Sequence, residues 1–285
     1  MRAGTLRTLA AAATALLLVS PLLAYLAGLW DEYWKVVTNL GDEPAYVALA
    51  TLIYVGVSRE LGVTALLALI STAWLNALVK NALALPRPPR ELWKVEASGY
   101  GFPSGHAQTS TTFWLSVGLK LRDAYVLALG LAVALLVGAS RVELGAHYPH
   151  DVVGGFLLGA AVAWLAVRAV GARGLRGARS SAALAAYGFL ISLLYLAYPE
   201  PTFTKMGGVS LGLSAYPLLR DKLDARAGAL ARALVSLAAL LVAFALTRFF
   251  DKQPPLLQLP GYALVTLVIV AAPLAYRLLG GARQA

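Results

Sequence analysis

Apolar and polar stretches alternate along the chain, and ten apolar segments approach the length of about 20 residues that a membrane-crossing helix needs. They lie at about 7–29, 44–58, 61–80, 105–121, 123–141, 151–170, 181–198, 204–219, 228–248 and 256–277. Lipid offers no hydrogen-bond partner to the backbone, so each segment is expected to be a helix. The pattern predicts an all-α, polytopic membrane helical bundle with both termini on the same side.

A change in composition divides the predicted helices into two groups. The stretch at 171–180 is basic and rich in glycine, and we interpret it as a linker. We therefore predict a six-helix membrane core at 1–170 and a block of about four membrane helices at 181–285. The first apolar segment is longer than the usual core of a signal peptide, so a retained helix is expected.

The composition supports a protein that uses lipid as its solvent. Of the 285 residues 59% are hydrophobic and 13% are charged, and the mean hydropathy is +0.71. The chain has no cysteine, which excludes disulfides, thiolate catalysis and cysteine metal sites. The net charge of +10 comes without a basic tract interleaved with aromatic residues, so we expect no nucleic-acid partner.

The basic residues also predict the orientation of the bundle. With ten spans, 15 of the 24 lysines and arginines fall on the side of the termini. The positive-inside rule then places the termini in the cytoplasm and the long polar stretch at 81–104 outside it. Within this stretch, residues 91–97 are expected to form a short surface helix. Five aromatic residues on the outer side are interpreted as an interfacial belt: Trp30, Tyr33, Trp34, Trp93 and Tyr100.

Three polar clusters stand next to these spans, at Lys80–Pro88 (KNALALPRP), Pro103–His106 (PSGH) and Ser140–Asp151 (SRVELGAHYPHD). They occupy the end of the third span, the start of the fourth, and the end of the fifth with the start of the sixth. In an alternating bundle these positions share one face. Ionisable groups inside a membrane protein are costly, so we expect the clusters to form one functional site.

The residue types in the clusters suit a phosphate ester. Lys80, Arg87 and Arg141 are cations, and the planar guanidinium group matches phosphate oxygens in pairs. Ser104 and Gly105 open a helix whose free N–H groups attract an anion. Lipid-headgroup contact is the ordinary alternative for such cations near a membrane surface.

The histidines add the means for phosphoryl transfer. His147 precedes Asp151 by four residues, which suits an imidazole that the carboxylate orients through one ring nitrogen. The oriented, neutral ring can attack phosphorus, and His106 is then placed to protonate the leaving oxygen and later to activate water. Asp151 is also suited to cap the sixth span. A packing or loop role is favoured for His150.

The clusters match the patterns KxxxxxxRP, PSGH and SRxxxxxHxxxD, and over about residues 44–170 the chain resembles the type-2 phosphatidic acid phosphatase superfamily. The resemblance implies a phosphohistidine mechanism that needs no metal or cofactor. It implies that His147 is the nucleophile, Asp151 its orienting partner and His106 the general acid and base. It also implies a phosphate-binding set of Lys80, Arg87, Ser104, Gly105 and Arg141. The scattered carboxylates and the absence of an HExxH pattern likewise predict no metal site.

The expected function is an integral membrane phosphatase that hydrolyses a lipid phosphate or diphosphate at the extracytoplasmic face, with the bilayer and a membrane lipid as its partners. Polyprenyl phosphates or diphosphates rank first, followed by phosphatidic acid and phosphatidylglycerol phosphate. A soluble sugar phosphate, as in the glucose-6-phosphatase type, ranks third because of the extra C-terminal helices. A lipid phosphotransferase, a vanadate haloperoxidase and a non-catalytic lipid binder or transporter are the alternatives.

Two GxxxG patterns allow close helix contact, at Gly155–Gly159 and Gly208–Gly212. Either pattern is compatible with a homodimer, but packing inside the bundle is favoured.

Overall fold

The computed structural model describes residues 3–171, 174–223 and 227–276, and the regular structure in these ranges is helical. This confirms the predicted all-α class. The α-helices of the described residues are α1 (Ala3–Leu26), α2 (Trp30–Asn39), α3 (Glu43–Leu52), α4 (Arg59–Leu83), α5 (Gly105–Leu121), α6 (Ala124–Glu143), α7 (Pro149–Val170), α8 (Gly177–Ala197), α9 (Pro201–Leu213), α10 (Tyr216–Leu219), α11 (Ala229–Phe250) and α12 (Pro255–Ala271).

Each of the ten predicted spans coincides with helix. By length and composition, seven helices of the described residues are able to cross a membrane: α1, α4, α6, α7, α8, α11 and α12 with the turn that follows it. The other three predicted spans are shorter helices. They are α3 with its π-helical continuation Ile53–Val57, the 17-residue α5, and α9 with α10. The predicted end of the last span at 277 lies outside the described residues, as do residues 172 and 173 of the predicted linker.

Helix α2 was not predicted, and it is too short for a membrane span. Asp31 and Glu32 lie in its first turn, where carboxylates interact favourably with the helix dipole. Trp34 and Val37 are 4% exposed and pack against Leu136 and Leu144. The interpretation of Trp34 as part of an interfacial belt is therefore wrong, because its side chain lies in a hydrophobic core.

The short surface helix expected at 91–97 is also not formed. The segment contains a single 3-10 turn at Arg90–Leu92. The Trp93 indole donates to the carbonyl of Pro88 at 2.9 Å, and the Lys94 amide donates to the carbonyl of Leu144 at 2.9 Å. The indole thus bonds to the loop itself and the Lys94 amide bonds to the end of α6. The segment therefore lies along the surface of the bundle and does not form a helix.

The chain divides into two compact units, and the first consists of Met1–Val47 and Ser71–Ala169. Within it, α5 buries a row of polar side chains in addition to apolar ones. The Gln108 amide donates to the carbonyl of Thr72 at 3.2 Å, and the Thr112 hydroxyl donates to the hydroxyl of Thr72 at 3.0 Å. These bonds satisfy polar groups that lipid could not.

The first GxxxG pattern lets α7 approach α5 inside this unit. A Cβ atom on Gly155 would lie 2.7 Å from the carbonyl oxygen of Ser104, and one on Gly159 would lie 2.7 Å from that of Gln108. Both glycines therefore serve packing within the chain, as favoured, while a homodimer stays a prediction.

The second unit consists of Ala48–Ile70 and Val170–Ala285. Its helix α9 packs between α8 and α12, and Gly208 and Gly212 lie directly against the carbonyls of Leu259 and Ala263 on α12. This unit takes its first segment from the region predicted as the phosphatase core. The predicted limits at 1–170, 171–180 and 181–285 differ from those of the compact units, and the division into core, linker and C-terminal block stays a prediction.

Candidate active site

The turn that joins α6 to α7 presents the most polar cluster of the first unit. Gly145 has a φ of +69°, and the carbonyl of Leu92 lies where a Cβ atom would stand. A residue with a side chain is therefore excluded there. The amides of Ala146 and His147 donate to the carbonyl of Arg141 at 3.0 and 3.1 Å. This turn ends α6 and fixes the backbone of His147.

His147 lies between a carboxylate and a guanidinium group. Its Nδ1 is 3.2 Å from Oδ2 of Asp151, and its Nε2 is 2.8 Å from Nη1 of Arg87. Arginine can only donate, so Nε2 accepts and the ring proton sits on Nδ1, facing Asp151. His147 is 3% exposed and Asp151 is fully buried. The ring thus turns a lone pair toward the cation, which is the tautomer that a nucleophilic imidazole requires.

The surroundings of His147 favour its neutral form. Burial lowers the pKa of His147 from its ordinary 6.5 to about 4. The hydrogen bond to Asp151 acts in the opposite direction, while the cations of Arg87, Lys80 and Arg141 lower the pKa further. At neutral pH an uncharged imidazole therefore stands beside charged guanidinium and ammonium groups.

Asp151 also bonds to the start of helix α7, but from within its first turn, so it is not the N-cap residue that the sequence suggested. Its Oδ2 accepts a hydrogen bond from the amide of Tyr148 at 3.0 Å, in addition to the one from His147. Nε2 of His150 lies 3.2 Å from Oδ1, but not in hydrogen-bonding geometry. The His150 ring stacks on Tyr148 at 5.3 Å, in agreement with a packing role.

Carbonyl groups of the 81–104 segment hold Arg87 in place. Its Nη2 donates to Ser98 at 2.7 Å, its Nε donates to Gly99 at 3.0 Å, and its Nη1 donates to Ala146 at 2.9 Å. The guanidinium plane is therefore fixed by backbone carbonyls of the 81–104 segment and of the turn between α6 and α7. The 81–104 segment therefore orients this cation.

Lys80, in the last turn of α4, is held by the same loop. Its ammonium group donates to the carbonyl of Tyr100 at 2.6 Å and lies 3.4 Å from that of Gly101. A Cβ atom on Gly101 would stand 2.7 Å from the carbonyl oxygen of Pro86 and 3.1 Å from Oδ2 of Asp151. Glycine at this position lets the loop approach both the backbone of Pro86, next to Arg87, and the carboxylate of Asp151.

The PSGH segment lies between α4 and α7. The Ser104 amide donates to the carbonyl of Asp151 at 2.9 Å, and Asn76 of α4 donates to the carbonyl of Pro103 at 3.2 Å. The Ser104 hydroxyl is buried and has no hydrogen-bond partner among the described residues. Together with the free N–H groups at the start of α5, next to Gly105, it offers donors that suit an oxyanion.

Arg141 reaches the site from the end of α6 and is 5% exposed. Its Nη1 donates to the hydroxyl of Thr38 on α2 at 2.7 Å, and its buried Nε has no partner among the described residues. Thr38 was not identified from the sequence. It carries no motif, and 103 residues separate it from Arg141 along the chain.

His106 points to a second unpredicted residue. Its Nε2 is 3.1 Å from Oδ1 of Asp42, which lies in the turn between α2 and α3. Asp42 gave no signal in the sequence either, because it follows a helix that the hydrophobic pattern does not reveal.

The structure thus joins His147, Asp151 and Arg87 by direct contacts, and Ser104 through its backbone. Arg141 and His106 are tied to α2 and to the turn that follows it. Among residues 3–171, 174–223 and 227–276, no group of three or more histidine, aspartate or glutamate side chains is arranged to hold a metal ion. The arrangement offers a fixed imidazole, a carboxylate partner and nearby cations, which suit attack on a phosphoryl group and stabilisation of its charge.

The fold and this cluster define an α-helical membrane protein with a buried, cationic histidine–carboxylate site. Residues 61–175 match the model of the PAP2 superfamily, the type-2 phosphatidic acid phosphatases. All three motifs lie in this segment, and the resemblance seen in the sequence is confirmed over it.

Individual relatives agree with this assignment. Over 166 residues the chain is 33% identical to glucose-6-phosphatase 3 of Mus musculus, and this aligned region covers 47% of each protein. Over 137 residues it is 29% identical to the undecaprenyl-diphosphatase of Sulfolobus acidocaldarius, which covers 46% of this chain and 66% of that one. The chain thus spans less than two thirds of either relative.

A solved structure is also similar. The transmembrane PAP2-type phosphatidylglycerolphosphate phosphatase of Bacillus subtilis matches 58% of this chain and 86% of its own, with 24% identity and a TM-score of 0.43.

Proposed function

We propose that this chain is an integral membrane phosphatase that hydrolyses a lipid phosphate or diphosphate through a phosphohistidine intermediate. The observation that carries the proposal is the position of His147. Its Nδ1 faces Asp151 at 3.2 Å, and its Nε2 faces Arg87 at 2.8 Å. An imidazole in this tautomer has its lone pair on the side where cations would hold a phosphate group.

In the first step Nε2 of His147 attacks phosphorus, and the bond from phosphorus to the bridging oxygen breaks. The leaving group is the lipid alcohol of a monoester or the lipid monophosphate of a diphosphate. Arg87, Arg141 and Lys80 balance the charge on the non-bridging oxygens, and the Ser104 hydroxyl and the Gly105 N–H group bind one of them. The Asp151 carboxylate stabilises the positive charge that forms on the ring. His106 gives a proton to the leaving oxygen.

In the second step water enters in place of the leaving group. His106, now neutral, takes a proton from the water as its oxygen attacks phosphorus. The phosphorus–nitrogen bond breaks, its electron pair returns to His147, and inorganic phosphate leaves. The same charges serve both steps, so no metal ion is needed in this scheme.

A lipid substrate is favoured because the described chain offers seven helices able to cross a membrane and a site built at helix ends. The headgroup reaches the site while the apolar chain stays in the bilayer. Undecaprenyl-diphosphatase is the name of one relative, which supports a polyprenyl diphosphate as the first substrate to test. Phosphatidic acid and phosphatidylglycerol phosphate come next.

A soluble sugar phosphate is the second candidate. The mouse relative at 33% identity is named a glucose-6-phosphatase, and helices α8 to α12 extend this chain beyond the segment that carries the motifs. In this case the same chemistry would act on a monoester without a lipid tail.

The test of the function uses the purified, detergent-solubilised chain with EDTA and four substrates: undecaprenyl diphosphate, phosphatidic acid, phosphatidylglycerol phosphate and glucose 6-phosphate. Phosphate release and an acid-labile, base-stable phosphoenzyme are measured together. We expect His147→Gln to abolish both. His150→Gln is the matched control, since His150 is 64% exposed, and it should keep wild-type turnover.

The outcomes separate the alternatives. A folded His147→Gln variant with full turnover would overturn the mechanism. Phosphate transfer to added lipid alcohols would indicate a phosphotransferase, and bromide oxidation with vanadate and peroxide would indicate a haloperoxidase. Substrate binding without turnover by the wild type would indicate a lipid binder or transporter.

We also propose that the site faces the extracytoplasmic side and that the termini are cytoplasmic. The chain has no cysteine, so single cysteines report topology directly. In spheroplasts, Glu96→Cys should react with a membrane-impermeant maleimide and Lys222→Cys should not. The reverse labelling pattern would place the site in the cytoplasm.

A further inference from the structure

The turn between α2 and α3 brings an aspartate to the proposed acid and base. Asp42 Oδ1 lies 3.1 Å from Nε2 of His106, although 64 residues separate them along the chain. Asp42 belongs to none of the three motifs, and the mechanism above does not use it. Its side chain is about half exposed, and asparagine, which is as well suited as aspartate to the position before α3, would keep a polar group there without the charge.

The neighbouring glycine shows that the approach to His106 is built into the fold. Gly41 is buried, and a Cβ atom there would lie 2.9 Å from Cδ2 of His106 and 2.6 Å from Cγ1 of Val137. Glycine therefore allows this turn to touch the histidine ring. The Gly41 amide donates to the carbonyl of Thr38 at 2.9 Å, which ties the turn to α2.

Helix α2, which packs against α6, supports the turn that carries this aspartate. Trp34 and Val37 pack on Leu136 and Leu144, and Thr38 accepts a hydrogen bond from Arg141. One short helix thus supports both the arginine of the proposed phosphate cage and the carboxylate at His106. A carboxylate held on a packed element fixes the ring orientation and the tautomer of its histidine partner.

We propose that Asp42 is a positioning residue for proton transfer by His106, an inference that rests on the proposed function. With Nε2 held by Asp42, Nδ1 is the ring nitrogen that transfers the proton. In the first step the Nδ1 proton passes to the leaving oxygen as the phosphorus–oxygen bond breaks. In the second step Nδ1 takes a proton from water, and Asp42 is the counter-charge whenever the ring is protonated.

The test compares a leaving group that must be protonated with one that leaves as a stable anion. Two amphiphilic phosphate monoesters of equal chain length are compared, one an alkyl ester and one a nitrophenyl ester. An alkoxide needs a proton to leave and a nitrophenolate does not. Rapid-quench measurements give the rate of phosphoenzyme formation for each ester, and the later steady state gives the rate of its hydrolysis.

For Asp42→Asn we expect phosphoenzyme formation from the alkyl ester to slow by about 10²-fold, the lower range for loss of general acid catalysis. Formation from the nitrophenyl ester should change less than about threefold, because that step draws no proton from His106. Hydrolysis of the phosphoenzyme should slow with either ester. Asp42→Glu should restore part of the loss, and in a His106→Gln background Asp42→Asn should add nothing.

Asp31→Asn is the matched control. It makes the same change of charge on the same helix–turn segment, at a carboxylate that pairs with Lys94 on the exposed surface at 2.8 Å. Asp31→Asn should leave the rate of phosphoenzyme formation from either ester at the wild-type value.

Equal slowing with the two esters would overturn the proposal, because a distorted site does not distinguish leaving groups. An additive loss in the His106→Gln background would overturn it as well. A wild-type enzyme that forms no phosphoenzyme would instead refute the proposed function, so the two failures are distinguishable.

Discussion

Replacement of Asp151 by asparagine removes one charge from the site and keeps the shape of the side chain. Asp151 Oδ2 accepts from Nδ1 of His147 at 3.2 Å and from the amide of Tyr148 at 3.0 Å. The carbonyl oxygen of asparagine at the same position can accept both bonds. The variant therefore separates the charge of the carboxylate from its hydrogen bond to the start of α7.

The expected loss follows from the charge that forms on the imidazole during attack. Two opposite charges about 4 Å apart attract by about 4 kcal/mol at an effective dielectric constant of about 20. This corresponds to a decrease of roughly 10³-fold in the rate of phosphoenzyme formation. The hydrogen bond to the Tyr148 amide is kept in the variant, so the unfolding temperature should stay close to that of the wild type while the rate of phosphoenzyme formation falls.

The assay is single-turnover phosphoenzyme formation, with unfolding followed by tryptophan fluorescence. Asp251→Asn is the matched control. Hydrogen bonds from Lys205 and Tyr262 lower the pKa of Asp251 against the opposing effect of burial, so a charged carboxylate is also removed there. The control should keep the wild-type rate. A folded Asp151→Asn variant that keeps more than about a tenth of the wild-type rate would refute the assignment of charge stabilisation to this residue.

Three further predictions concern the same unit. Because the pKa of His147 is lowered to about 4, the nucleophile stays neutral above that pH. The acid limb of the pH profile of kcat/KM should therefore lie near pH 4, below the ordinary histidine pKa of 6.5. An acid limb at pH 6.5, after correction for substrate ionisation, would contradict this. Thr38→Val removes the acceptor of Arg141, so the inhibition constant for orthovanadate should rise by about 10- to 100-fold, the cost of one charged hydrogen bond. Gly155→Ala should destabilise the fold by about 1–3 kcal/mol and lower activity, since its Cβ atom meets the backbone of Ser104, whereas Gly4→Ala, which enters open space, should do neither in a thermal-shift assay.

The helical elements could be read from the sequence because each has a strong one-dimensional signal. A membrane helix needs a long apolar run, and the ten runs correspond to ten helical regions. Helix α2 was missed because its ten residues are half polar, so that only the spacing of Trp34 and Val37 marked the buried face. Residues 91–97 were assigned too much helix because the Lys94 amide bonds to the distant carbonyl of Leu144, which local propensity does not reveal.

The sequence by itself determined the three motifs and their order, and hence His147, Asp151, Arg87 and the expectation that they meet. Helix alternation makes that meeting a matter of topology. Only the tertiary structure decided what supports these groups. The contacts from Thr38 to Arg141 and from Asp42 to His106 join residues 103 and 64 positions apart. Such contacts depend on the packing of α2 against α6, and a single hydroxyl or carboxylate leaves no periodic trace in a sequence.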